Sequence, residues 1–241
     1  MRFITVRTRP MFPPRDNLYE VLRASLPRLR EGDVIFITSK VLAIHQGRCR
    51  RVRSEAEKDK LILAEAERVI PRKTRNGNIF LTIKGHTLIP SSGIDMSNGN
   101  GYAILWPTRP HSFAKEICRW LRRKFRLRNI AVIITDSHTI PLRYGVIGIS
   151  TGFFGLEPLF DYRGRKDIFG RELKYTQTDI VDALAAMAVL LMGEGNERTP
   201  IVIMRGANFI RFTNRRRHRA LVIPPEKDLY YPLLKSFRKL R

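Results

Sequence analysis

The sequence is short of several residues on which functional sites are commonly built. Among 241 residues there are two cysteines, Cys49 and Cys118, and five histidines. Neither cysteine lies in a C-x-x-C spacing, so a disulfide framework and a structural zinc centre are excluded and two reduced thiols remain. No apolar run reaches the roughly 18 to 20 residues that a membrane helix needs, and Met1-Arg-Phe-Ile-Thr-Val-Arg7 lacks a long apolar region followed by a cleavage site. The expectation is a soluble, unprocessed cytoplasmic chain without a membrane partner. No G-x-x-x-x-G-K-[ST] occurs and no G-x-G-x-x-G follows a strand, so any nucleotide must be held by something other than a P-loop or a dinucleotide fold. Acid is scarce as well: 22 Asp plus Glu against 45 Lys plus Arg leave a net charge of +23. That balance favours nucleic acid, anionic membrane or phosphorylated small molecules as partners without choosing among them.

What is present is a globular composition, 43% hydrophobic, in a length that suits one large domain or two small ones. Strands are expected over residues 34–38, 79–83, 131–135, 146–150 and 201–204, each rich in β-branched residues. Helices are expected over about 16–30, 54–70 (opened by the capping box Ser54-Glu-Ala-Glu57), 112–125 and 178–192, the last closed by Gly193. The 178–192 pattern is apolar nearly all round and reads as a central buried helix. The order of elements lacks regular strand-helix alternation, so the fold class is α+β, with mixed sheets around that helix. Residues 1–210 read as the main domain, with a possible inserted subdomain at about 155–177. Residues 211–241 read as a basic extension carrying a last helix over about 226–240.

Three constellations carry chemistry. Asp136 directly follows the apolar run 131–135 and is followed by Ser137. An acid at a buried strand end either caps the next turn or holds a hard cation rigidly. Asp95 lies in the polar loop Ser91-Ser-Gly-Ile-Asp-Met-Ser-Asn98, and oxygen ligands of this kind suit magnesium or manganese, which implies phosphate chemistry. Lys40 stands just past the strand 34–38, beside the hydroxyls of Thr38 and Ser39, where its ammonium can meet a phosphate. Arg163, Arg165 and Arg171 are interleaved with Gly164 and Gly170 in a segment that is either a solvated basic loop or a set of cations aimed at one anion. Glu194 follows the apolar helix at the start of a Gly-Glu-Gly-Asn-Glu turn.

Taken in order, Val34-Ile-Phe-Ile-Thr-Ser-Lys40 with Gly47-Arg48, Gly93-Ile-Asp-Met-Ser-Asn98, Ile134-Thr-Asp-Ser137, Asp161-Tyr-Arg-Gly-Arg-Lys-Asp167 with Phe169-Gly-Arg-Glu-Leu173, and Met192-Gly-Glu194 followed by Pro200-Ile-Val-Ile-Met-Arg-Gly206 resemble the coenzyme F420:L-glutamate ligase family. Ile89-Pro-Ser-Ser-Gly-Ile-Asp95 and Gly99-Asn-Gly-Tyr-Ala-Ile-Leu-Trp-Pro107 are most similar to its branch labelled folate-metabolism γ-glutamate ligase. The resemblance implies a homodimeric amide ligase that uses GTP or ATP with Mg2+ or Mn2+ to join L-glutamate to a carboxylate of a coenzyme, either an F420 precursor or a folate. By the same resemblance Asp95 and Asp136 would ligate one divalent ion, with Ser137 and Glu194 serving a second. Thr38, Ser39, Lys40 and Asn98 would contact the nucleotide, and the catalytic set would be Lys40, Asp95 and Asp136. Arg163, Arg165, Arg171 and Arg205 are candidates for binding glutamate or the acceptor, or for structural ion pairs. One departure concerns the Gly-x-Pro turn that touches the nucleotide in the family: its place is taken here by Val6-Arg-Thr-Arg-Pro-Met-Phe-Pro-Pro14.

A second function of a different class is a nucleic-acid-binding module on the same fold. It is motivated by Lys115, Arg119, Arg122, Arg123, Lys124, Arg126 and Arg128, and by Arg211, Arg215, Arg216, Arg217 and Arg219. Trp120, Phe125, Phe209 and Phe212 are interleaved with these, as stacking platforms would be. Phe113, Ile117, Trp120, Leu121 and Phe125 also fall at helical spacing, which reads as core. The ligase reading leaves both basic segments unexplained.

Overall fold

A computed structural model describes residues 1–71, 73–75 and 77–240. Its first half contains β1 (Arg2–Val6), α1 (Leu18–Ser25), β2 (Val34–Thr38), α2 (Ser39–His45), β3 (Cys49–Arg51), α3 (Glu55–Glu65), β4 (Arg68–Val69), β5 (Leu81–Lys84), β6 (Thr87–Pro90), β7 (Tyr102–Ile104) and α4 (Pro110–Phe125). The second half contains β8 (Ala131–Thr139), β9 (Val146–Phe154), β10 (Leu159–Asp161), β11 (Gln177–Asp179), α5 (Ile180–Met192), β12 (Ile201–Arg205), α6 (Tyr231–Leu234) and β13 (Arg238–Lys239). Helices and mixed sheets together make an α+β fold.

The central sheet has the strand order β1-β12-β2-β8-β9. Only β2 and β8 are parallel, in register from Val34 beside Ala131 to Thr38 beside Thr135. Because side chains alternate across a strand, Ile35 and Ile37 face one side and Val34 and Phe36 the other. The first set packs with Ile134, Ile203 and the buried residues of α1, α2 and α4. The second packs with Ile133, Val202 and the buried residues of α5. Both faces of the sheet are therefore covered, which is why these strands read as unbroken apolar runs. A smaller lobe holds the four-stranded sheet β13-β4-β5-β6 and the pair β3-β7, with Ile62, Ile94, Ala103 and Leu105 as its core.

Several expectations change here. Asp136 does not end its strand, since β8 runs on to Thr139 past a bulge between Ile134 and Thr135. Bulges of this kind re-aim the side chains that follow. The first helix covers only Leu18–Ser25, and the third stops at Glu65, with Ser54 accepting the Glu57 N–H at 3.2 Å. The helix α5 is capped by Asp179 and closed by Gly193, but it is buried on one side only. Its outer face exposes Met187, Leu190 and Leu191. In place of a last helix over 226–240 there are one turn of 3-10 helix at Pro225–Lys227, the four-residue α6 and β13. Segment 211–240 is not a free extension either: Phe212 bridges to Leu156 and β13 pairs with β4. Arg241 lies outside the described residues. The 155–177 excursion contains β10 and leads to β11, its antiparallel partner.

Candidate functional site

The parallel pairing of β2 with β8 decides where the site lies. Their parallel pairing ends at Thr38 beside Thr135, where β2 stops and β8 runs on past its bulge, so the residues that follow the pairing lie side by side. Crevices beyond such adjacent strand ends are a general location for ligands in sheets with parallel strands. The first chain turns at once into α2, carrying Ser39 and Lys40, and the second continues as Asp136 and Ser137. Thr38, Lys40, Asp136 and Ser137 line one cleft of about 410 Å³.

A loop from the smaller lobe closes one wall. Backbone bonds between Asp95 and Ile104 in both directions, 3.0 and 2.8 Å, dock it beside β7. Asp95 Oδ2 accepts from Lys40 Nζ at 2.6 Å, and Ser97 Oγ donates to the same oxygen at 2.8 Å. Lys40 Nζ also donates to the Ser97 carbonyl at 3.0 Å. Partial desolvation raises the Asp95 carboxyl, but the Lys40 and Ser97 contacts outweigh it and hold it below the ordinary carboxylate range. Asp136 has the opposite fate. Burial pushes its carboxyl up to about 6, against the pull of the Trp106 indole N–H, the Ser39 hydroxyl, the Ser137 backbone N–H and the charge of Lys40. Trp106 Nε1 donates to Asp136 Oδ2 across the floor of the cleft. The indole fits there because residue 93 is glycine: a Cβ at that position would overlap the Trp106 ring.

The loop after α5 forms the opposite wall. Glu194 lines the cleft together with Gly195 and Glu197, and Glu197 Oε2 accepts the Gly195 N–H at 2.9 Å. Asn98 Nδ2 donates to the Gly195 carbonyl at 3.1 Å, which ties the two walls together. The rim is completed by Thr8, Arg9, Pro10 and Met11. These belong to the segment 6–14, which therefore reaches the cleft. Arg9 is itself held by Asp16 at 2.6 Å.

Eight of the expected site residues thus gather at one place: Thr38, Ser39, Lys40, Asp95, Asn98, Asp136, Ser137 and Glu194. The four arginines do not join them. Arg205 sits at the far end of β12 and grips the buried Asp33 with two bonds of 2.8 and 2.7 Å, which is the structural alternative for that residue. Arg163 pairs with Asp161 at 2.6 Å, Arg165 lies over the Phe160 and Tyr162 rings, and Arg171 is exposed in the same excursion. Trp106 and Ser97 were not singled out from the sequence. Both occur in the quoted loop motifs, but nothing in composition or spacing marks an indole as the partner of a carboxylate.

The cleft's carboxylates and hydroxyls, Asp95, Asp136, Ser137 and Glu194, are hard oxygen donors of the kind that suits magnesium or manganese. Asp136 is a partly buried carboxylate without an ion-pair partner among the described residues, the kind of charge that a cation would satisfy. As the side chains stand, no three His, Cys, Asp or Glu groups converge to hold an ion among the described residues, and Asp95 is engaged by Lys40. The donors therefore fit such an ion by chemistry, and Lys40 must release Asp95 for them to close on it. Among the described residues, no helix is long and apolar enough to cross a membrane.

Residues 7–206 match the family model described as F420-0:Gamma-glutamyl ligase. The chain is 34% identical to the coenzyme F420:L-glutamate ligase of Methanopyrus kandleri over 236 residues, 90% of this chain and 92% of that protein. It is 34% identical to the protein of the same name from Methanocaldococcus jannaschii, over 89% of this chain and 90% of that one. To the one from Methanococcus maripaludis it is 36% identical over 75% and 71% respectively.

Proposed function

The chain belongs to the F420-0:γ-glutamyl ligase family, and from that premise we propose that it joins L-glutamate by an amide bond to a carboxylate of an F420-like acceptor, driven by GTP or ATP bound in the cleft. The names of the relatives favour an F420-like acceptor over a folate. The observation that carries the reading is the meeting of Lys40, Asp95 and Asp136 in one cleft at the ends of β2 and β8.

Phosphoryl transfer asks a protein mainly for positioning and charge neutralisation. Lys40 is poised for both, because it sits in the first turn of α2 and its ammonium is already aimed across the cleft. On exchanging Asp95 for an oxygen of the triphosphate, it would neutralise charge that builds during transfer. Thr38 and Ser39 offer hydroxyls beside it, and Asn98, tied to Gly195, would steady the loop against the nucleotide. Asp95, Asp136, Ser137 and Glu194 would hold Mg2+ or Mn2+, which neutralises triphosphate charge when bound. Trp106 keeps Asp136 oriented. The acceptor carboxylate attacks the γ-phosphorus, the bond to the β-phosphate oxygen breaks, and an acyl phosphate forms. The glutamate amine then attacks the acyl carbon, phosphate leaves, and the ammonium proton passes to solvent. No enzyme nucleophile is needed.

A homodimer belongs to the same proposal. The outer face of α5 exposes Met187, Leu190 and Leu191, and Leu142, Tyr144, Ile168, Phe169 and Tyr175 are almost fully exposed on loops. Apolar surface of this extent is commonly covered by another chain. Phosphate release from GTP or ATP, measured with glutamate, divalent metal and a panel of acceptors, tests the reaction. Asp136→Ala and Asp95→Ala should each lower turnover at least ~100-fold, and full turnover by either would overturn the assignment of the site. Light scattering should give a dimer mass for the wild type and a monomer mass for Leu190→Glu.

A further inference from the structure

The two basic segments that the ligase reading leaves aside meet in space. One is α4, which starts at Pro110 after Arg109, with no side chain capping it and no acid in its first turn. The other is the stretch after residue 206, beyond the region matched by the family model. It runs back along the core through Glu157 N–H to Arg211 carbonyl at 2.8 Å and Thr213 N–H to Gly155 carbonyl at 3.0 Å. It is pinned to α4 by the Arg122 bond to Asn214. A turn of 3-10 helix at His218–Leu221 then brings the His218 ring to 5.1 Å from that of His111.

The result is a notch of about 240 Å³ lined by Arg109, His111, Lys115, Arg216 and His218. It shares Arg109, His111, Phe153 and His218 with a larger cavity of about 800 Å³, which Arg219 also lines and whose walls elsewhere carry the carboxylates Glu65, Glu67, Asp179 and Asp182. Among the described residues, Arg109, Lys115, Arg216 and Arg219 form no ion pair, while Arg217 is held by Glu157 at 2.6 Å. Desolvation, then repulsion from Arg119 and Arg216, pushes the Lys115 ammonium down. His111 Nδ1 accepts the Phe153 N–H at 3.1 Å, and burial holds the ring neutral, with its pKa lowered to about 4. Its Nε2–H is therefore a donor. Unpaired cations in a notch whose own lining holds no carboxylate, beside an uncapped helix start, form a concave site suited to an anion.

The larger cavity backs onto the nucleotide cleft. Trp106 lines the cavity, and its indole N–H is bonded to Asp136 on the cleft side. We propose that this cavity is the acceptor site and that the notch at its mouth holds a phosphate group of the acceptor, gripped by Arg109, Lys115, Arg216 and the two histidines. The acceptor role rests on the ligase reading; the anion site does not. Phosphate is preferred to a carboxylate because guanidinium, ammonium and imidazole donors converge in greater number than two carboxylate oxygens can engage. A small molecule is preferred to nucleic acid because the cations line a recess sized for one such group rather than a ridge that follows a strand.

The test uses the full chain and inorganic phosphate as probe, with acetate as the carboxylate arm. Phosphate should shift the ring resonances of both His111 and His218, and acetate should do so at least tenfold more weakly. The double variant Lys115→Glu, Arg216→Glu should weaken phosphate binding at least tenfold. Circular dichroism and the melting temperature verify its fold, which the relief of crowded charge favours. Absent histidine shifts, equal affinity for acetate, or unchanged affinity in the variant would overturn the proposal. So would an oligoribonucleotide that binds tenfold tighter than phosphate and loses its binding in the same variant. Turnover of the wild type is measured separately, so failure of the ligase reading and failure of the anion notch are distinguishable.

Discussion

Asp95 and Asp136 face the same cleft, one from a loop and the other from a strand, and experience opposite fields. Asp95 is about half exposed, paired with Lys40 and held in its charged form. Asp136 is walled in, bonded by an indole instead of a cation, and poised to lose its proton only near pH 6. The difference shows how one protein keeps a paired anion and an unpaired one in a single cleft: the first is tied to Lys40, and the second holds an unmet demand for positive charge. Sites of function commonly store such locally unfavourable arrangements.

The comparison is most easily broken by removing charge without changing shape. Asp136→Asn should lower turnover at least ~100-fold while stabilising the metal-free protein at pH 8 by about 1–3 kcal/mol, since a buried ionised carboxylate is no longer required. Asp95→Asn should also lose turnover, but its effect on stability has the opposite sign and is small, about 0.5 kcal/mol of destabilisation, because the Lys40 pair is solvent-exposed. Thermal melts at pH 8 with turnover assays check both; a stabilised Asp95→Asn would erase the contrast.

pH sharpens it further. The Asp136 pKa is raised in the folded state, so its contribution favours folding below about pH 4 and is lost as pH rises through about 6. The Asp95 pKa is lowered, so its contribution is present above the ordinary carboxylate range and is lost as pH falls below it. In metal-free protein, the stability difference between wild type and Asp136→Asn should therefore open between pH 4 and pH 6 and then level off. The smallest effect expected is that of Trp106→Phe, which removes one donor to the Asp136 carboxylate. It should move that transition alkaline by about half a unit to one unit, and no movement would mean that the indole does not act on the charge.

Much of this was readable in the sequence because it depends on short runs. The β-branched segments 34–38 and 131–135 gave themselves away as buried strands, and the residues just beyond them follow at fixed offsets, so Lys40 and Asp136 were legible. Strand ends were not. A strand can continue through polar residues once a bulge turns it, which is why β8 reaches Thr139. The partial exposure of α5 was hidden because apolar residues all round a helix look alike whether a sheet or another chain covers them. The tail differs from its helical pattern for a related reason: over 226–240 the chain makes an edge strand against β4 in place of a long helix. The notch was illegible because its cations come from segments about a hundred residues apart.

Position 93 shows how far the consequences of a single atom can extend. Alanine there would pass most measures of conservative change, yet its methyl group has no room except where the indole lies, and the backbone angle of +71° already disfavours a side chain. The displaced ring would carry its N–H away from Asp136 and would also move the partition between the two cavities. Drift at this position is thus a route by which the surroundings of Asp136 and the shapes of both cavities could change without altering any residue that lines either.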